Sequence, residues 1–472
     1  GINSCATCKP RFIIKKEINQ KYKPATLDNE NPIEPIKLWF LFRYKSSLKY
    51  FDRNTIFSGL FFFFVLFSLF IMRPFRGAIT AQIGTADLTY FLFIVVLVML
   101  FANQIYSVLV SRIKESRLVA YVYGFFIVNL LIYAGLNYYL PESYVLGASF
   151  YVWYNIFNFF IVSVFWARTV NSFNYKEGKK YFGIISAFGS LGAWVATQTV
   201  LLFLSDKFFL AMILGCLSLM LAIYFSTKTS LSSRSLIQEK KDTFFRDLTE
   251  QFRQIKSNPL VRQLLSYVFI WTCLSTALYF FSIEIVSSVS SDRVVQTQLF
   301  AQADAIAIPL TLFTQIFLTR FLLQSKFFGV SFVLIFYGAI YGIGFILMFG
   351  YFSGLFLASS GALLFLIIQA LVRPYEYAIN KPARETVYTT LKKSEKYKST
   401  VFIDTFMNRF GDASGGLLFN SLLFIGLSIS IAPLAIIPLA FYLSIVGSSI
   451  SQGVKRAKTA KTKSWTIFTK KS

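Results

Sequence analysis

The chain has 472 residues, 55% of them hydrophobic, and carries 47 Lys and Arg against 22 Asp and Glu, a formal net charge of +25. A soluble domain would be about 45–50% apolar, and here the excess falls in blocks of about 20 residues, the length that crosses a bilayer. With no histidine, a histidine base, proton shuttle or metal ligand is excluded.

Residues 1–54 form a basic, polar arm ending in a partly aromatic stretch, 38–51, that reads as an interfacial helix. It is not a signal peptide, because the apolar core comes too late. The arm holds Cys5 and Cys8, a lone Cys-x-x-Cys pair without partner ligands, so no metal or cofactor is expected. Cys216 and Cys273 fall in apolar blocks and read as small packing residues.

Twelve apolar spans follow, at about 56–73, 86–108, 118–138, 145–167, 181–204, 208–227, 263–286, 297–321, 328–350, 352–373, 399–426 and 428–449. A long charged segment, 228–262, divides them six and six, the layout of two bundles related by an internal repeat. The expected fold is an all-α membrane protein with twelve transmembrane helices in two six-helix bundles. Its parts are the arm 1–54, a first bundle 55–227, a central linker 228–262, a second bundle 263–450 and a basic tail 451–472.

The distribution of charge decides what +25 means. Placing the N-terminus inside puts 42 of the 47 cations in the arm, the inner loops, the centre and the tail. Arg73, Arg76, Lys207 and Arg293 fall on the outer side, and Arg409 within a span. This positive-inside bias implies a multi-pass protein, expected in a bacterial inner membrane with both termini cytoplasmic. It accounts for the charge without nucleic acid and implies attraction to anionic lipid at the cytoplasmic face. The basic termini could also dock a protein partner.

A charge inside a span costs about 2.5–3.5 kcal/mol and so faces a cavity or a partner. In I-M-R-P-F-R-G, Arg73 and Arg76 lie three apart on one helix face around Pro74, which bends the helix. They read either as interfacial cations or as a clamp for an anion. Asn155 and Asn158 in the fourth span read as interhelical hydrogen-bonders or as pocket lining. Glu284 and Asp304 have no cationic partner in their own spans, which marks a proton, ion or substrate path. In the eleventh span Asp404, Asn408, Gly411 and Gly415 share a stripe, and Arg409 can pair with Asp412 three residues on. Small residues in the fifth span (Gly183, Gly189, Gly192) and in the eleventh fit either surfaces that slide or tight packing.

At these residues the chain resembles the nucleotide transporter family, the ATP/ADP translocases of intracellular bacteria and plastids and their wider bacterial relatives. Arg73-x-x-Arg76 resembles that family's first-helix pattern. Phe165-Trp166 with Lys179-Lys180-Tyr181-Phe182-Gly183 is similar to its F-W … A-K-R-x-Y/F-G segment. Most specific is Lys381-Pro-Ala-Arg384-Glu385 … Tyr388 … Glu395-Lys396 … Asp404 … Arg409-Phe-Gly411-x-x-x-Gly415-Gly416. There are departures: Asp412 stands where ATP/ADP exchangers tend to carry Lys, and Gly77 where an acid commonly follows the first-helix cation.

The resemblance implies a major facilitator type fold and a secondary transporter, not an enzyme, moving nucleotides or related organic anions by alternating access. In that reading Arg73, Arg76, Asn155, Asn158, Glu284, Asp404, Arg409 and Asp412 bind substrate. Lys381, Arg384 and Glu385 gate the inner side from a loop, pairing with the loop between the fourth and fifth spans, and Asp304 is the coupling candidate. No Gly-rich phosphate loop ending in Gly-Lys-Ser/Thr is present, so gradients would drive transport. The competing expectations are a membrane scaffold with a lumen filled by Phe, and a major facilitator carrier of an unrelated solute.

Overall fold

The computed structural model describes residues 53–141, 143–173, 175–229, 258–325, 328–391 and 406–468. The expectations for the arm, the central linker, Cys5, Cys8, the loop lysines from 392 to 398 and Asp404 lie outside the described residues.

Long apolar helices make up the described chain. The first half runs α1 (Arg53–Ile83), α2 (Thr85–Arg112), α3 (Glu115–Tyr139), α4 (Tyr144–Ser172), α5 (Tyr175–Thr199, closing in a π-helical turn, Val200–Leu204) and α6 (Phe208–Lys228). The second half begins with α7 (Pro259–Val289) and α8 (Arg293–Phe313, continuing through a π-helical turn, Thr314–Leu318, to Gln324). Then come α9 (Gly329–Phe352), α10 (Gly361–Pro374, a π-helical turn Tyr375–Asn380, then Lys381–Tyr388), α11 (Asn408–Phe424) and α12 (Ala432–Phe468). Eleven of these satisfy the length and apolarity of a membrane span. The described part of α11 is 17 residues long.

Three helices outrun the sequence expectation. A span read from hydropathy stops at its first charges, whereas backbone hydrogen bonding continues where those charges find partners. Thus α1 continues beyond Arg73 and Pro74 to Ile83 and α10 beyond Arg373 to Tyr388, both arginines meeting Asp304. Helix α12 continues into the basic tail as far as Phe468. Arg73 and Arg76 are therefore not outer-loop residues, and Lys381, Arg384 and Glu385 are not in a loop.

The halves repeat one packing plan. In the first, α1 packs on α5 and α6, and α3 on α6; in the second, α7 packs on α11 and α12, and α9 on α12. Glycines set the closest approaches at equivalent places. A Cβ on Gly192 of α5 would meet the Phe63 carbonyl of α1, and one on Gly415 of α11 would meet the Cys273 carbonyl of α7. Gly189, Gly192, Gly411 and Gly415 thus pack on helices of their own bundle. Gly416 touches both Phe280 of α7 and Thr89 and Leu92 of α2, and Gly183 meets nothing within 4 Å. Cys216 and Cys273 are buried, unbridged packing residues.

The bundles meet where α1 faces α8, α2 faces α11 and α5 faces α8. Hydrogen bonds tie this contact near the end of α1 remote from Arg53. Thr85 Oγ1 donates to Glu284 Oε1 at 2.7 Å, Asn420 Nδ2 to Thr89 Oγ1 at 2.8 Å, and the Thr80 and Tyr279 hydroxyls lie 2.9 Å apart. At the same level Gly77 meets the ring of Phe300, leaving no room for a larger residue. The face on which α1 begins is called the basic face below, and the other the far face.

Gly192→Val should lower the thermal unfolding midpoint in detergent by the equivalent of about 1–3 kcal/mol, the usual cost of overpacking. Gly124→Ala, at a site where a Cβ meets nothing within 4 Å, should hold or raise it. Intrinsic tryptophan fluorescence during heating reads both.

Candidate functional site: a charged cavity between the bundles

Between the bundles lies a cavity of about 670 Å³, within the range of small-molecule sites. Its lining starts beneath Gly77 and Phe300 and extends toward the basic face as far as Ser163 on α4 and Arg384 on α10. Among the described residues six cationic side chains line it (Arg73, Arg76, Arg373, Lys381, Arg384, Arg409) against three acidic ones (Asp304, Glu376, Asp412).

The lining charges are mostly paired: Asp304 across helices, and Asp412 and Glu376 each with an arginine of its own helix. Asp304 lies about 16 Å along α8 by helical rise, and is buried at 3% exposure. The guanidinium of Arg373 from α10 donates to its Oδ1, and Arg73 Nε from α1 lies 3.7 Å from its Oδ2. One carboxylate therefore joins both bundles at the head of the cavity. Arg409 reaches Asp412 at 3.4 Å, whose other oxygen accepts from Thr276 Oγ1 at 3.1 Å. On α10, Arg384 Nη2 donates to Glu376 Oε1 at 3.1 Å, so Arg384 pairs within its own helix.

Arg76 differs from these. Among the described residues it forms no ion pair. Its guanidinium lies over the ring of Tyr151 at 4.8 Å and of Tyr154 at 5.7 Å, and its Nε has no hydrogen-bond partner. Pro74 helps to present it: proline has no N–H, so the Phe70 carbonyl loses its helical donor. Tyr154 donates its hydroxyl to the neighbouring Leu69 carbonyl at 2.9 Å, which holds the aromatic platform against this stretch of α1. Lys381, exposed on the cavity wall, also forms no ion pair among the described residues.

The remaining candidates divide. Asn155 and Asn158 line the cavity, but the Asn155 amide donates to the Tyr151 carbonyl of its own helix at 2.9 Å rather than across helices. Glu284 is not among the cavity-lining residues; it sits in the far-face junction on Thr85. Glu385 is exposed and outside the lining. Glu376, buried at 8% exposure, was missed by the sequence reading. Its signal was the spacing of Glu376, Asn380 and Arg384, four apart along one helix face, hidden by ending the span at Arg373.

These features define an integral multi-pass membrane protein with the major facilitator type fold. No family model matches the sequence, and no curated protein matches it. Solved structures do match. A variant of the nucleoside transporter NupG superposes with a TM-score of 0.62 at 12% identity, covering 84% of this chain and 99% of its own. The POT family transporter PepTSo gives 0.59 at 12%, covering 86% and 99%. An auto-inhibited POT family peptide transporter gives 0.57 at 13%, covering 86% and 97%. At this identity the likeness is one of fold.

Asp304→Asn should strand two guanidiniums and cost about 3–5 kcal/mol, the effect of removing one partner from a buried ion pair. Arg373→Met added to it should recover part of that loss. The unfolding midpoints of the single and double variants, compared in one detergent, check this.

Proposed function

We propose that the protein is a secondary transporter of organic anions, nucleotides foremost, working by alternating access. The observation that carries the reading is Arg76: a cation without a carboxylate partner among the described residues, set on aromatic faces in a cavity whose other guanidiniums are matched. A charge in a membrane interior needs compensation, and an anionic ligand would supply it. Arg73, Asn155 and Asn158 extend the same wall, with Arg409 and Asp412 facing them from the second bundle. Aromatic rings among the lining residues, including Phe159, Trp271, Tyr279 and Phe280, suit stacking against a planar base.

The far-face hydrogen bonds and the cavity's extension toward the basic face support an inward-open state, with the basic face cytoplasmic. Asp304 couples the bundles by bridging Arg73 and Arg373, and Glu284 on Thr85 latches the far side. Asp404 remains a candidate for balancing the empty site. Anionic lipid would meet the basic face, and a protein partner the basic termini. The scaffold alternative expects a lumen filled with Phe, and the open charged cavity supports transport instead. The matched nucleoside and peptide transporters share the fold with one another, so fold likeness leaves the solute to be argued from the lining.

In proteoliposomes, labelled ATP, ADP or GTP should enter faster when the vesicles are preloaded with unlabelled nucleotide. Arg76→Ala should slow entry by about ten- to a hundredfold, the worth of a charge-assisted hydrogen bond of about 1.5–3 kcal/mol. Uptake that ignores preload points to net transport; uptake indifferent to the alanine removes Arg76 from the site.

A further inference from the structure

The three cavity carboxylates are held in different ways. Asp304 has two guanidinium partners and, among the described residues, no neutral donor. The Asp412 side chain is 25% exposed beside Arg409. Glu376 is buried and takes donors from three side chains. Arg384 serves Oε1 at 3.1 Å; Asn380 Nδ2, at 3.1 Å, and the Tyr337 hydroxyl serve Oε2. The last two are neutral and locked in turn. The Tyr267 hydroxyl lies 3.0 Å from Asn380 Oδ1 and 3.0 Å from the Leu334 carbonyl, its one proton shared between them, on the side of the amide opposite the N–H that meets Glu376, and the Tyr341 hydroxyl lies 3.0 Å from that of Tyr337. Glu376 would therefore keep two hydrogen bonds if Arg384 left it.

Arg384 is equally prepared to leave. It is 6% exposed, forms part of the cavity wall, and stacks over Trp271 at 4.9 Å. Its buried Nε has no hydrogen-bond partner among the described residues. A guanidinium has five N–H donors in a rigid fork, and a buried donor left unpaired calls for an explanation.

We propose that Glu376 and Arg384 form a displaceable pair that sets which anions the cavity accepts. Arg384 is a stored cation, surrendered by Glu376 to a second anionic group of a ligand whose first group sits on Arg76. The ligand class is then one with separated anionic groups, such as a nucleoside di- or triphosphate. A guanidinium meets phosphate oxygens in a two-pronged fork, and Lys381, three residues before Arg384 on the same helix, adds to the pull. A ligand with one anionic group gains nothing from the exchange, because Arg76 alone serves it. Glu376 thus restrains polyanion binding to a reversible level. This rests on the anion-transport reading of the same cavity.

The test is equilibrium binding of labelled ATP and AMP to the full chain in lipid nanodiscs. Glu376→Gln, which releases Arg384 while keeping an acceptor for Tyr337, should tighten ATP about tenfold, a shift of about 1.4 kcal/mol, and AMP by less than about threefold. A structural role would weaken both ligands. Arg384→Ala should weaken ATP far more than AMP. Tyr337→Phe, which leaves Glu376 more dependent on Arg384, should lower the ATP-to-AMP affinity ratio, and serves if the glutamine variant does not fold. An unchanged ratio in the folded variants overturns the proposal. If the wild type binds neither nucleotide, the nucleotide reading fails separately, and the same ratio is read with pyrophosphate against phosphate. Failure to bind those, or an unchanged ratio, overturns the pair as well.

Discussion

Everything in this structure depends on matching charge where water is scarce. Arg73, Asp304 and Arg373 show the constraint at its most demanding. The carboxylate is buried, and its partners come from α1 and α10, helices of opposite bundles. Taking any one of these charges out of water alone would cost several kcal/mol; together they become a bridge that fixes how the bundles sit at the head of the cavity. Arg384 with Glu376 and Arg409 with Asp412 obey the same rule farther along the lining. Arg76 and Lys381 break it among the described residues, and the break lies where a ligand would fit.

The bundles can carry this arrangement because each is internally stiff. Gly192 against the Phe63 carbonyl and Gly415 against the Cys273 carbonyl let α5 and α11 lie backbone to backbone on α1 and α7. Close contact of this kind has few alternative packings, since protein interiors are dense and a shift of one helix must move its neighbours. The contacts between bundles mix the close packing of Gly77 on Phe300 with single hydrogen bonds such as Thr85 to Glu284 and Asn420 to Thr89, plus the Asp304 bridge. Separating the hydrogen bonds exposes groups that water can satisfy. The proposed alternating access would place its motion between the halves.

Much of the architecture was legible in the sequence, because hydropathy, loop charge and the six-plus-six division are local properties. Asn155, Asn158, Asp304, Arg409 and Asp412 announced themselves as polar residues in apolar spans, and Arg73 and Arg76 as cations at the end of one; all line the cavity. Arg409 and Asp412 also pair as their spacing suggested; what was not legible was pairing across helices. Asp304 meets Arg73 and Arg373 only through the fold, and nothing in its own span foretells either. Glu376 was overlooked because Arg373 and Pro374 look like a helix end, yet α10 runs on through a π-helical turn to Tyr388. Such turns occur often at functional sites, and this one carries Glu376 and Asn380. Glu284 stands apart from these: it accepts from Thr85 at the far-face junction and is not among the cavity-lining residues, a placement its own span does not reveal.

The surplus of cations bears on how the proposed transporter would turn over. With six cationic and three acidic side chains among the described residues, the empty cavity carries an excess of three positive charges from them that water can screen while one face is open. Closing both faces expels that water, and the surplus is then felt in a medium of lower effective dielectric, where like charges repel more strongly. A bound polyanion cancels the surplus before closure and lowers the barrier for passage of the loaded form. The empty form must cross with its charges uncompensated, unless the bundles rearrange their pairings. Exchange of one anion for another is the cycle that such a charge balance favours, since neither direction then passes through an empty, closed cavity.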